Sequence, residues 1–109
     1  MTAPSPFERI LAARVADRHR TARGLAARIV SDVEAQGRAI SLIGSLATGR
    51  FRLHSDIDLL VRGPIDPAER AAVERAVAAV MRGTGIPNDL IYACDLTPSQ
   101  REAFEKAVP

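Results

Sequence analysis

The stretch from Ile40 to Val61 sets the narrowest limits on the fold. Ile40-Ser41-Leu42-Ile43 is a short apolar run of strand length, and it passes directly into Gly44-Ser45. Ile57-Asp58-Leu59-Leu60-Val61 reads as a second strand whose last three residues call for burial. Between them lies Gly44-Ser45-Leu46-Ala47-Thr48-Gly49-Arg50-Phe51-Arg52-Leu53-His54-Ser55-Asp56, a turn bounded by small residues and closed by an acid. In a strand, residues i and i+2 share a face, roughly 7 Å apart. Asp56 and Asp58 therefore present two carboxylates on one face, beside a bend with free N–H groups.

The flanking segments alternate helix and strand. Ser5-Pro6-Phe7-Glu8 is a helix start, with a capping serine, a proline at the first position and Glu8 closing a capping box. Phe7, Ile10, Leu11, Val15, Ala22, Leu25, Ala26, Ile29 and Val33 follow at helical spacing; Gly24 marks a kink or a break, and Gly37 a stop. Gly63-Pro64 ends the second strand. Asp66-Pro67-Ala68-Glu69 repeats the capping box ahead of Ala72, Val73, Ala76, Val77 and Val80, and Gly83 and Gly85 end that helix. Asp89-Leu90-Ile91-Tyr92-Ala93 is a third strand, and Thr97-Pro98-Ser99-Gln100 opens a last helix through Phe104 and Val108. This order predicts an α+β, two-layer architecture: a small mixed sheet of three strands, or slightly more, with helices packed on it.

A chain of 109 residues, 47% hydrophobic and 26% charged, suits one domain over 1–109. Within it, 5–36 reads as an N-terminal helical extension and 39–95 as the core. There is no room for a separate substrate-recognition domain. No apolar run approaches the roughly 18–20 residues of a membrane span, and Met1 to Pro6 lacks a secretory pattern. A single cysteine, Cys94, excludes an internal disulfide and is expected to be a small buried hydrophobe; the expected compartment is the cytoplasm. Arg9, Arg14, Arg18, Arg20, Arg23 and Arg28 crowd the first third, yet the net charge is only +2 and there are three Phe, one Tyr and no Trp. A solvated helix face explains the arginines better than a nucleic-acid surface.

The Gly-Ser bend and the acid pair have one chemistry in common. Paired carboxylates supply hard oxygen ligands for Mg2+, and without a cation they repel each other. Glycine lets the backbone approach a phosphate closely. Ser45 adds a hydroxyl donor, and a short helix opening at Leu46 would point amides the same way. Arg50 or Arg52 can pair with phosphate oxygens. Asp89, at the head of the third strand, is the expected third carboxylate, holding metal and orienting the attacking hydroxyl. Asp95 is its rival but looks like turn chemistry. His19 and His54 read as surface residues, and Tyr92 as core.

On these residues the segment Gly44–Val61 resembles the signature of the DNA polymerase β-like nucleotidyltransferase superfamily. The Gly-Ser-x-Ala-x-Gly opening, met by Gly44, Ser45, Ala47 and Gly49, is similar to that of the minimal nucleotidyltransferases, including their antitoxin members. The likeness covers Ile40 to Tyr92, and the rest agrees in element order. It implies a nucleotidyltransferase fold, ATP as substrate, two Mg2+ ions, and transfer of AMP to a hydroxyl. That hydroxyl would belong to a tyrosine of a partner HEPN-type toxin. Asp56, Asp58 and Asp89 would be the catalytic and metal-holding set, with Gly44, Ser45, Gly49 and Arg50 on the nucleotide. The nearly 40 residues ahead of the first strand depart from many such domains and suggest a docking surface, so homo- or hetero-oligomers are expected. Two other outcomes stay open: a silent antitoxin that neutralises its partner by contact, and transfer to a small molecule or an RNA end.

Overall fold

Two reciprocal caps fix where the long helices begin. The computed structural model describes residues 2–106. In it the Glu8 N–H donates to Ser5 Oγ at 3.1 Å while the Ser5 N–H donates to the Glu8 carboxylate at 3.1 Å, opening α1 (Pro6–Ala35). The Asp66/Glu69 pair does the same, at 2.7 and 3.2 Å, for α3 (Pro67–Met81). Each cap satisfies two N–H groups that have no partner inside the helix. The strands are β1 (Ile40–Ile43), β2 (Ile57–Val61) and β3 (Asn88–Tyr92). A helix of little more than one turn, α2 (Gly44–Thr48), follows β1 directly, and α4 (Pro98–Lys106) closes the described chain.

The sheet is mixed, in the order β1-β2-β3. β1 runs antiparallel to β2 with Ile43 opposite Asp58, and β2 runs parallel to β3 with Asp58 beside Asp89. Parallel neighbours need a long crossover, which α3 supplies. The expected α+β arrangement of helices on a small three-stranded mixed sheet is therefore the one observed.

The two faces of the sheet are covered unequally. Ile40, Ile57, Leu59, Val61 and Tyr92 point to the face packed by α1 and α3, where Ala22, Ala26, Ile29, Val33, Val73, Val77, Val80 and Met81 complete the main core. The alternate residues Ile43 and Leu60 meet a smaller cluster with Ala93, Ile91, Leu96 and Phe104, so α4 covers only one end of the second face.

Several expectations need correction. Gly24 neither kinks nor breaks α1, which runs unbroken for 30 residues. The turns around it are held by Ala22, Ala26 and Ile29, all buried, and this outweighs one glycine's low helix propensity. Phe7, Ile10 and Leu11 have helical spacing but not burial: they are 72%, 56% and 40% exposed, because the first turns of α1 reach past the sheet. Cys94 is exposed, since β3 ends at Tyr92 and a 3-10 turn (Ala93–Asp95) carries the thiol outward. Val108 lies outside the described residues.

Candidate active site

β2 is the middle strand, and its first turn of chain gathers the site. The Ile57 N–H donates to the Pro87 carbonyl at 2.9 Å, which brings the head of β3 level with the head of β2. The parallel register then sets Asp58 and Asp89 side by side on the same face. Asp56, two residues before Asp58, stands one residue ahead of β2, outside the strand. Asp58 and Asp89 thus share the second face at its exposed end, and Asp56 lies close enough to Asp58 to act on its charge.

The bend sits against this acidic edge. Gly44 has φ +74°, a left-handed conformation, and a Cβ there would run into the Asp58 side chain, whose own Cβ and Cγ lie 3.2 Å from that point. Glycine is required at Gly44 on both counts. Ser45, half-buried, is the next residue and lies in the first turn of α2. Thr48 Oγ1 lies 3.2 Å from the Gly44 carbonyl and 3.3 Å from that of Ser45, tying the short helix to the bend. Gly49 ends α2 in the left-handed region, and the exposed Arg50 donates its N–H to the Ser45 carbonyl at 2.8 Å. The approach to Asp56 is closed by a reciprocal pair: the Arg52 N–H donates to Ser55 Oγ at 2.8 Å and the Ser55 N–H to the Arg52 carbonyl at 3.1 Å. Neither Ser55 nor the Gly44–Asp58 contact was foreseen. A serine three residues after Arg52, just ahead of the acid, is the only trace of it in the sequence.

Electrostatics mark the same place. Asp58 titrates above the ordinary carboxylate range, first because burial disfavours its charge and then because Asp56 and Asp89 repel it. Among the described residues none of the three acids is paired with Lys or Arg. Asp95 contrasts with them. It lies past the other end of β3, takes a bidentate grip from Arg70 at 2.8 and 3.0 Å, and is held below the ordinary range by it. That Arg70 guanidinium also stacks 4.0 Å over the Tyr92 ring. Asp95 is thus committed to structure, as its turn position suggested.

The donor set suits a divalent cation in one particular sense. Among the described residues no three acidic, His or Cys side chains form a ready-made cage. Mg2+, however, is commonly held by one or two carboxylates plus substrate phosphates rather than by an all-protein cage. Uncompensated charge around a half-buried Asp58 is what such an ion would relieve.

A sequence profile of the nucleotidyltransferase domain family matches residues 22–107. The chain belongs to that family. Residues of this nucleotidyltransferase from the buried half of α1 through the open end of the sheet all fall within the match. Among solved structures, one described as "Structure of putative minimal nucleotidyltransferase" superposes with a TM-score of 0.53 at 24% identity, covering 85% of this chain and 88% of the other. At that identity the likeness speaks for the fold. Comparison with curated proteins finds no match. Among the described residues no helix is long and apolar enough to cross a membrane.

Proposed function

We propose that this nucleotidyltransferase moves AMP from ATP to a hydroxyl, on a tyrosine of a partner HEPN-type protein, as the antitoxin of a toxin–antitoxin pair. The observation that carries the reading is the juxtaposition of Asp58, Asp89 and Gly44 at the open end of one sheet face. We read 1–109 as a single catalytic domain, with 5–36 a helical extension, 39–95 the catalytic core, and the cytoplasm as its compartment.

Each residue then has a definable task. Gly44 keeps the backbone low enough for a triphosphate to lie along the bend, and Ser45 donates its hydroxyl to a phosphate oxygen. Gly49 and Arg50 flank the far end of α2, where the guanidinium can pair with the same phosphates. Asp56, Asp58 and Asp89 would hold Mg2+, which neutralises phosphate charge and aligns the leaving pyrophosphate. Asp89, exposed on the edge strand β3, would accept a proton from an incoming hydroxyl. The sheet face that α4 does not cover leaves that hydroxyl a way in.

The test uses the full chain with its co-expressed genomic neighbour, labelled ATP and Mg2+. Label is expected on a tyrosine of the neighbour, and Asp58→Asn is expected to abolish it. Absence of label with both proteins folded would overturn the protein-acceptor assignment. A second reading, neutralisation by contact alone, draws on the exposed Phe7, Ile10 and Leu11 of α1. Full neutralisation by the Asp58→Asn protein would favour it.

A further inference from the structure

At the opposite end of the open face lies a cleft of about 330 Å³, walled by Arg62, Gly63, Pro64, Ala93, Cys94 and Arg101 with Glu105 at its margin. Arg62 follows β2 four residues after Asp58, roughly 13 Å away at ~3.3 Å per residue. Its Nε donates to Ser41 Oγ at 3.0 Å. Arg101, from α4, donates from Nε to the Ala93 carbonyl at 3.3 Å and from Nη2 to the Leu96 carbonyl at 3.5 Å.

These anchors share one property: each is neutral. Both guanidiniums are oriented by a hydroxyl or a carbonyl, and among the described residues neither meets a carboxylate within ion-pair distance. The neighbouring Arg70 is different, being spent on Asp95. Arg62 is moreover half-buried, so its charge is partly removed from water without a counter-charge. Two guanidiniums that line one cleft from different elements, without an ion pair among the described residues and with Nη donors left over from their anchors, can receive an oxyanion by charge-assisted hydrogen bonds. The cleft lies at the lower end of the size range for small-ligand sites.

We propose that this cleft binds a small oxyanion, a phosphate or carboxylate group carried by a small molecule. It is separate from the acidic end and does not depend on the nucleotidyl-transfer reading. Glu105, at the margin, competes weakly for the two arginines and sets the affinity.

Cys94 makes the test direct, because it is the only cysteine and it lines the cleft. Alkylation by neutral iodoacetamide is followed on the full chain during titration with inorganic phosphate or malonate, at ionic strength matched with sodium chloride. Calorimetry on the same samples measures binding. Saturable binding and slowed alkylation are expected in the millimolar range with at least one anion. The anion that binds identifies the ligand as phosphate- or carboxylate-bearing. Arg101→Gln should weaken binding about tenfold, as the loss of a charge-assisted hydrogen bond predicts, and Glu105→Gln should strengthen it. Asp58→Asn should leave it unchanged, which separates this site from the acidic one. Failure of both anions to bind at matched ionic strength would overturn the proposal, as would unchanged binding in Arg101→Gln. That variant lies on an exposed helix and reports even if Arg62→Gln does not fold.

Discussion

Two glycines and one acid show how much single residues decide. Gly44 and Gly24 look alike in the sequence, but Gly44 is left-handed and jammed against Asp58, whereas Gly24 has helical backbone and open space around it. Gly44→Ala should cost about 1–2 kcal/mol from the left-handed conformation alone, more with the collision, and should cut nucleotidyl transfer. Gly24→Ala should instead stabilise by about 1 kcal/mol, the helix-propensity difference. Denaturant unfolding of both variants checks the opposite signs. Asp58 carries the clearest pH signature. Its folded pKa lies above the unfolded value of 3.8, so it costs nothing below that pH, where both states are protonated. As pH rises through the folded value, the native state must ionise against burial and two neighbours, and stability is lost. Asp58→Asn should therefore melt higher than the natural protein at pH 7, with the gap closing below about pH 3.8. Adding Mg2+ should raise the melting temperature of the natural protein more than that of the variant, by mass action on the folded state.

Among the elements, α1 is two things in one helix. Its second half is core: Ile29 is fully buried, and Ile29→Ala should cost about 2–5 kcal/mol by the usual large-to-small range. Its first half is not, and Leu11→Ala should stay within about 0.5 kcal/mol in the same urea titration. The sequence alone could not divide the helix in this way, because Phe7 and Ile29 occupy equivalent positions in the apolar repeat. What separates them is how far the sheet extends beneath, a fact of tertiary structure. Local signals served better. The caps at Ser5/Glu8 and Asp66/Glu69, the stop at Gly37 and the strands at Ile40–Ile43 and Ile57–Val61 are legible because each depends on neighbours in the chain. Strand alternation suggested one face for Asp56 and Asp58, but β2 starts only at Ile57, and the Asp58–Asp89 register was not legible. Register depends on α3 returning the chain parallel to β2, and on the Ile57–Pro87 hydrogen bond. Tyr92 packs as expected and offers a spectroscopic check on β3. Burial, with Glu74 beside it, pushes its hydroxyl up to about 12. As the only tyrosine, it should give a single phenolate transition near that value, well above the ordinary 10, in an alkaline absorbance titration.

Across the whole molecule, the sheet separates duties. One face is given to cohesion by α1 and α3; the other carries Asp58 and Asp89 at one end, and at the other Arg62 with Arg101 of α4 beside it. Charge of opposite sign is thus displayed along a single strand and the residue that follows it. Among the described residues β2 is also the one strand with a partner on both sides. Its amides should be among the last to exchange with deuterium, because opening them breaks two ladders at once. α2, with five residues and one firmly buried side chain, Leu46, should exchange orders of magnitude sooner. Asp58 thus rides on the strand expected to open late, while the neighbouring Ser45 rides on a helix expected to open early. On the proposed reading, loosening that one short helix would disturb the serine bend before Asp58, so sensitivity to heat or denaturant should show first as a rising nucleotide KM and only later as unfolding.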